Sequence, residues 1–266
     1  MGFFTTLKAQ KAYKMHSKGD IEGARKTYEE AIREGLNVPR YVLSYCILLI
    51  RSGEYQLAKD QLVKVQKMPG LTAEQKVQLF IDYSACCYKL GDLNRAVDLL
   101  EKQHHKQSAG TIYQTLGYLY VEKYCREKPV AAPAPQPQED EENAVTVVPT
   151  QEELDAQWEE GKAAALAFLQ EAVDYDDEDA ICLDNLGQFY YRVLGDKTEA
   201  KKWFDKAIAI KDGQIDTLWF LSRYDLDNGN TAAAIEKLEK SLEGRFSVLN
   251  CHTKEEVQAE IDRLKK

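Results

Sequence analysis

Cysteine and histidine are the side chains of this sequence whose spacing could support metal or thiol chemistry. Adjacent pairs occur at Cys86-Cys87, His104-His105 and Cys251-His252, and no CxxC motif is present. Neighbouring side chains on a helix point about 100° apart, so two of them share a ligand poorly. We therefore interpret Cys86 and Cys87 as small core residues. The two adjacent histidines near a helix end are interpreted as solvated, and no metal site is expected.

Signatures of catalysis are also missing from the sequence. It contains no Gly-rich phosphate loop, no HExxH motif and no nucleophile elbow. We predict that the chain is not an enzyme and needs no cofactor.

The composition is that of an ordinary water-soluble protein with enough apolar residues for a core. Of the 266 residues, 44% are apolar and 30% are charged. The longest apolar run, from Val42 to Ile50, is far shorter than the ~20 residues of a membrane-spanning helix. The first residues lack the apolar region of a signal peptide. The sequence therefore predicts a cytoplasmic protein without a membrane partner.

The charge is unevenly distributed along the chain. Residues 1–126 carry a net charge of +6, residues 127–184 carry −15, and residues 185–266 are neutral. Blocks of like charge favour solvated or disordered chain. The acidic block argues against nucleic acid binding by that half of the protein.

A glycine followed five residues later by an alanine occurs five times. Each glycine precedes Asp, Glu or Asn, and each alanine precedes an aromatic residue or Leu by four positions. The alanines are separated by 34, 38 and, in the second half, 34 residues. The five sets are Gly19, Ala24 and Tyr28; Gly53, Ala58 and Leu62; Gly91, Ala96 and Leu100; Gly195, Ala200 and Phe204; and Gly229, Ala234 and Leu238.

This spacing predicts helix hairpins. The glycine supplies the left-handed residue that closes one helix, and the alanine lets the next helix approach closely. The aromatic residue or Leu lies on the same face as the alanine and fills the gap between the two helices. One hairpin cannot bury its apolar face alone, so neighbouring hairpins must stack.

The pattern resembles the tetratricopeptide repeat, a 34-residue helix–turn–helix unit. Its consensus is matched from Leu183 through Leu186, Gly187 and Tyr190 to Ala200, Phe204 and Ala207. The first half is matched again by Tyr113, Leu116, Gly117 and Tyr120. The resemblance implies an all-α, right-handed α-solenoid of about six hairpins, with a C-terminal capping helix and a disordered insertion in the fourth repeat.

The insertion explains the one repeat that lacks the glycine turn. Residues 127–150 are rich in proline and then acidic, which favours disorder. We assign repeats one to three and the first helix of repeat four to residues 1–126. Residues 151–250 hold the second helix of repeat four, extended backwards from its core by residues 151–162, and repeats five and six. Residues 251–266 hold a capping helix with a Thr253–Glu256 capping box.

The resemblance implies that ligands bind a concave groove lined by the first helix of each repeat. The positions predicted to face a bound peptide or protein are Tyr13, Arg40, Ile47, Arg51, Tyr88, Lys89, Tyr118, Gln188, Tyr191, Arg192, Trp219 and Arg223. Aromatic residues among them suit peptide contact, although several could simply pack between helices.

Two functional classes follow from this prediction. The first is a non-catalytic scaffold whose basic amino half recruits an acidic or aromatic peptide, or whose acidic insertion competes with that peptide for the groove. The second is a structural or assembly subunit that associates with itself through the edges of the solenoid. The sequence leaves the oligomeric state open.

Overall fold

Thirteen α-helices and no strands form the part of the chain that the structure describes. The structure is a computed structural model, and it describes residues 2–126, 128–131 and 149–266. The first helices of the hairpins are α1 (Gly2–Ser17), α3 (Pro39–Arg51), α5 (Ala73–Lys89), α7 (Gly110–Tyr124), α9 (Ala180–Gln188) and α11 (Ile215–Asp227). The second helices are α2 (Ile21–Arg33), α4 (Tyr55–Gln66), α6 (Leu93–His104), α8 (Gln151–Tyr175), α10 (Lys197–Ile210) and α12 (Thr231–Leu242). The last helix, α13 (Lys254–Leu264), follows the sixth hairpin.

The predicted glycine turns are confirmed. All five glycines have positive φ, from 70° at Gly195 to 89° at Gly91. This region of backbone conformation costs a residue with a side chain about 1 kcal/mol or more. In four of the five turns the residue after the glycine caps the next helix, since its side chain accepts a hydrogen bond from a backbone N–H of the first turn.

The predicted contacts between paired helices are also confirmed. The five alanines and the five aromatic or Leu residues that follow them have no exposed surface. Each first helix contacts the second helix of its own hairpin and the first helix of the next hairpin. This alternate contact stacks the six hairpins into the predicted solenoid.

Helix α8 begins at Gln151, which confirms the backward extension of the second helix in repeat four. A capping box between Thr150 and Glu153 starts the helix. Trp158 on the extension packs edge-on against Tyr124, with 5.0 Å between ring centroids. The predicted disordered insertion falls largely on residue 127 and residues 132–148, which lie outside the described residues.

The Thr253–Glu256 capping box at the start of α13 is confirmed. Val257 and Ile261 are buried in a cluster with Leu238 of α12, so α13 covers the last hairpin. No helix in the described ranges is both long and apolar enough to cross a membrane.

The cysteine and histidine pairs have different outcomes. Cys86 and Cys87 are fully buried, which confirms their interpretation as core residues. The interpretation of His104 as solvated is wrong. Its ring packs edge-on between Tyr113 at 4.9 Å and Phe168 at 5.2 Å, because the end of α6 is covered by α7 and α8.

A connection longer than the others joins α12 to α13. Eleven residues, 243–253, separate Leu242 from Lys254, whereas the earlier connections between hairpins hold four to six residues where the structure describes them. The repeat pattern does not predict the path of this connection.

Candidate protein-binding groove

The inner surface of the solenoid is formed by α1, α3, α5, α7, α9 and α11, which contact one another in succession. The connection between α12 and α13 lies on this surface and approaches α3, α5, α7, α9 and α11. We call residues 245–252 of this connection the groove segment. It divides the inner surface into an open amino-terminal end and a covered remainder.

The open end of the groove carries cationic side chains. Two adjoining cavities, of about 340 and 430 Å³, share Ile47, Arg51 and Arg245 in their walls. His16 lines the smaller cavity, and burial together with the charges of Arg51 and Arg245 lowers its pKa. Neither arginine forms an ion pair with any residue that the structure describes. Both arginines are exposed, and the charge of Asp82 acts on Arg51 from the wall of the larger cavity.

Asp82 on α5 lines the larger of these two cavities. The residue is 7% exposed, and its Oδ1 accepts a hydrogen bond of 2.8 Å from Gln78. Its Oδ2 has no hydrogen-bond partner within the described part of the chain. Burial raises the pKa of Asp82 to about 7, and the neighbouring Arg51 acts in the opposite direction.

Tyr13 and Arg40 stand at the outer rim of the open end. Tyr13 is 39% exposed and meets Tyr41 edge-on. The exposed Arg40 places its guanidinium 5.4 Å from the centre of the Tyr13 ring. This arrangement leaves an aromatic surface and a positive charge available side by side.

Glu122 on α7 lies in the middle of the groove and accepts hydrogen bonds from side chains of neighbouring helices. Its two carboxylate oxygens accept hydrogen bonds of 2.8 Å from Arg192 and from the Tyr88 hydroxyl. Tyr118 lies next to Tyr88, with 3.3 Å between the hydroxyl oxygens. Arg192 also donates to Gln188 at 3.2 Å. This network joins α5, α7 and the end of α9.

Lys89 borders this network at the end of α5. Its ammonium lies 5.0 Å from the centre of the Tyr88 ring. Burial lowers the pKa of Lys89, and the charges of Glu122 and Glu256 oppose that change. Lys89 is thus half-buried among acidic neighbours. Arg51 and Arg245 at the open end, by contrast, form no ion pair within the described residues.

Two buried carboxyl groups lie beneath the covered part. Asp184 accepts hydrogen bonds from Thr217 at 2.5 Å and from Gln188 at 2.7 Å. Asp216 accepts hydrogen bonds from the Asn250 amide at 3.1 Å and from the Cys251 backbone N–H at 3.2 Å. Burial raises the pKa of both groups. Both acids therefore depend on hydrogen-bond donors held close to them.

The carboxyl-terminal end of the groove is occupied by the chain itself. The His252 ring lies on Trp219 with 3.8 Å between centroids, and the Arg223 guanidinium is 4.4 Å from the same indole. Arg223 also pairs with Glu260 of α13 at 2.6 Å.

Solved structures share this architecture. A thermophilic TPR protein in Thermus thermophilus matches with a TM-score of 0.60 at 17% identity, covering 86% of this chain and 99% of its own. PilW, a widely conserved type IV pilus biogenesis factor, matches at 0.61 and 13% identity, covering 98% and 100%. MamA 41-end from Desulfovibrio magneticus RS-1 matches at 0.52 and 20% identity, covering 80% and 98%. This chain has the tetratricopeptide-repeat fold. At these identities the likeness shows the fold alone.

Comparison of the sequence itself adds nothing to this assignment. No protein-family model matches the sequence, and the search of curated proteins finds no match.

The twelve predicted groove residues lie in four places. Tyr13, Arg40, Ile47 and Arg51 lie together at the open end. The middle network includes Tyr88, Lys89, Tyr118, Gln188 and Arg192, of which Tyr118 and Gln188 are buried. Trp219 and Arg223 lie under the carboxyl-terminal chain. Tyr191 stands apart and packs with Phe220 at 5.1 Å and Tyr224 at 5.8 Å.

The groove segment and its contact with Asp216 were not predicted from the sequence. One signal was available, because Phe246, Val248 and Leu249 are apolar residues in a connection outside the repeats. An unusually long apolar connection needs a surface to cover it. Asp216 offered a weaker signal, since an acidic side chain on the first turn of a helix is common.

Proposed function

We propose that this chain is a non-catalytic scaffold that binds a protein or peptide partner in the groove of its tetratricopeptide repeats. The binding surface is the open end, where Arg40, Arg51 and Arg245 present positive charge beside Tyr13. The partner carries an acidic segment with an apolar or aromatic residue near it. This proposal retains Tyr13, Arg40, Ile47 and Arg51 as contact residues from the predicted set.

The observation that carries the proposal is that the exposed residues Arg51 and Arg245 share two cavities and form no ion pair within the described part of the chain. Two positive charges that share a cavity attract an anion into it. Burial and the charge of Arg245 lower the pKa of Arg51, whereas the nearby charge of Asp82 acts in the opposite direction. A carboxylate can accept two parallel hydrogen bonds from each guanidinium group.

The proposal is tested with the double variant Arg40→Glu/Arg51→Glu. Crosslinking in native extract, followed by affinity capture and mass spectrometry, identifies the partners of the unmodified chain. A purified partner is then titrated against both proteins. We expect the variant to bind at least about tenfold more weakly, since like charges replace attraction at the surface.

The matched control is Lys64→Glu/Lys67→Glu, which makes the same change of charge at the end of α4. Both lysines are exposed, and neither forms an ion pair within the described ranges. Equal affinity of the two double variants would contradict the proposal. Thermal unfolding of each variant separates a loss of binding from a loss of structure.

A second candidate function, self-association through a solenoid edge, is favoured by one observation. Phe3 and Phe4 on α1 are 72% and 73% exposed, and Leu7 on the next turn is 45% exposed. An apolar group of this kind can mark a contact surface. If the edge self-associates, Phe3→Ser/Phe4→Ser lowers the mass measured by sedimentation, whereas a monomer at all concentrations before mutation rejects this function.

We also propose a cytoplasmic location and a protein rather than a nucleic acid or lipid ligand. All six cysteines are free thiols, which suits a reducing compartment. The acidic residues of the early turns of α8 would repel phosphate groups.

A further inference from the structure

The groove segment makes contacts along the inner surface that resemble those of a bound peptide. Its Val248 packs against the cluster formed by the first three repeats, and Leu249 packs against the central cluster. Asn250 contacts Tyr118 of α7, and Cys251 contacts Asp216 of α11. The His252 ring lies on Trp219. The chain turns within the segment, because the Asn250 N–H donates to the Ser247 carbonyl at 3.2 Å, and the side chains of this turn reach neighbouring repeats.

Hydrogen bonds to the segment involve its backbone as well as its side chains. The Tyr118 hydroxyl donates to the backbone carbonyl of Asn250 at 3.3 Å. The backbone N–H of Cys251 donates to Asp216 Oδ1, and the Asn250 amide donates to Oδ2. Backbone hydrogen bonds of this kind depend little on the sequence of the bound segment. Its specificity comes from the pockets that accept its side chains.

The segment fits the groove incompletely. Its residues Phe246, Val248, Leu249 and Asn250 remain partly exposed. A cavity of about 220 Å³ remains beside it, with Asp216, Leu249 and Asn250 in its wall. The remaining wall is made by the first helices of repeats four, five and six, and includes Gln114, Thr115, Asn185 and Gln214. Because space is left unfilled and the side chains are only partly buried, the segment gains less packing energy than a well-fitted ligand would gain.

We propose that the inner surface of α7, α9 and α11 is a docking site for a turn-forming segment of a partner protein, which displaces residues 247–252 of this chain. The incoming segment has an apolar side chain in place of Leu249 and a hydrogen-bond donor for Asp216. A flat ring replaces His252 on Trp219. This inference rests on the proposed function, because it gives the groove a second contact region and a condition for its opening.

Tethering explains why a weak occupant holds the groove. A segment joined to the chain at both ends has an effective concentration of the order of 1 mM at its site. An external segment must therefore bind more tightly or arrive already attached to a partner bound at the open end. In the second case the partner first binds the arginines of the open end, and its segment then enters the covered groove.

The first test measures release of the segment through the thiol of Cys251. This thiol lies 3.3 Å from Asp216 Oδ1, and burial raises its pKa well above the ordinary value, so it reacts slowly while the segment is seated. Asn250→Asp places a second carboxylate against Asp216. We expect alkylation of Cys251, located by peptide mapping, to become at least tenfold faster. Asn37→Asp, the same change at an exposed position, should leave the rate unchanged.

The second test adds the segment from outside. The probe is a labelled synthetic peptide of residues 244–253 that carries Cys251→Ser. We expect it to bind the Leu249→Ser/Asn250→Asp protein at least tenfold more tightly than the unmodified protein. Adding Asp216→Ala to the double variant should remove most of this binding.

The proposal is overturned if the added peptide binds none of the proteins while circular dichroism shows them folded. It is also overturned if Asn250→Asp leaves the Cys251 rate unchanged. Should Asn250→Asp unfold the protein, Leu249→Ser alone serves in both tests. Neither test involves Arg40 or Arg51, so a failure here leaves the proposed function standing, and the partner titration can fail without affecting these results.

Discussion

Gly187 offers a sharp test of the packing between the two helices of one tetratricopeptide-repeat hairpin. It lies on α9 where the Phe204 ring of α10 covers the backbone. A Cβ added at Gly187 would lie 2.7 Å from Phe204 Cε1 and 2.8 Å from Cδ1. Carbon atoms in contact are normally about 3.5–4.0 Å apart. The Gly187→Ala variant therefore forces about 0.8 Å of movement on the ring.

The Phe204 ring has little room to move. It is fully buried and stacks on Phe220 with 5.1 Å between centroids and an interplanar angle of 2°. Forcing an extra methyl group into such a core costs about 1–3 kcal/mol. Replacing a helical glycine by alanine returns roughly 0.5–1 kcal/mol through chain entropy. We expect Gly187→Ala to lower the free energy of unfolding by about 1 kcal/mol, within a range of roughly 0–2.5 kcal/mol.

Urea unfolding followed by circular dichroism measures this change. Gly110→Ala is the matched control, since a Cβ there meets nothing within 4 Å and the position is the first of α7. A double-mutant cycle with Phe204→Leu isolates the cause, because the smaller side chain should relieve at least ~0.5 kcal/mol of the cost of the added methyl group. The reasoning is refuted if Gly187→Ala is as stable as Gly110→Ala, or if the two changes at Gly187 and Phe204 are additive.

Three further predictions concern charged groups. The raised pKa of Asp82 means that its contribution to stability is complete below about pH 4 and is lost as the pH rises through about 7, so the free energy of unfolding should fall between about pH 4 and pH 7 and should fall less in Asp82→Asn. Glu122→Ala should cost about 2–4 kcal/mol in chemical unfolding because it leaves the half-buried Arg192 without its partner, and an equally stable variant would show that the network contributes nothing. The pKa of Glu260 is lowered to about 2 by hydrogen bonds from Arg263 and Arg223, so Glu260→Gln should speed hydrogen exchange of α13 and leave that of α1 unchanged.

The hairpins could be predicted from the sequence because their determinants are local. Gly19 and Ala24 set the turn and the close approach within a few residues of each other, and the same spacing recurs at each repeat. The backward extension of α8 and the capping box at Thr253 were equally accessible, since they depend on helix propensity and on caps.

The covered groove could not be predicted, because its contacts join distant parts of the chain. Nothing in the spacing of Asn250 and Asp216 indicates that they meet. The π-helical turn Phe189–Leu194 at the end of α9 was likewise unexpected, and it precedes the turn glycine without disturbing the repeat. The burial of His104 depends on α8, which follows the long insertion. The twelve groove positions remain predictions, and their environments divide them between an accessible rim and an internal network.

The path of residues 243–253 has a consequence for how this solenoid folds. In an ordinary array each unit contacts only its neighbours, so the array can melt or assemble piece by piece. Here Val248, near the end of the chain, packs against the cluster that the first three repeats form. The groove segment thus couples the first three repeats to the last hairpin. Long-range contacts of this kind slow folding, and they make unfolding more cooperative. The first three repeats therefore acquire all of their contacts only once residues 243–253 have packed against them.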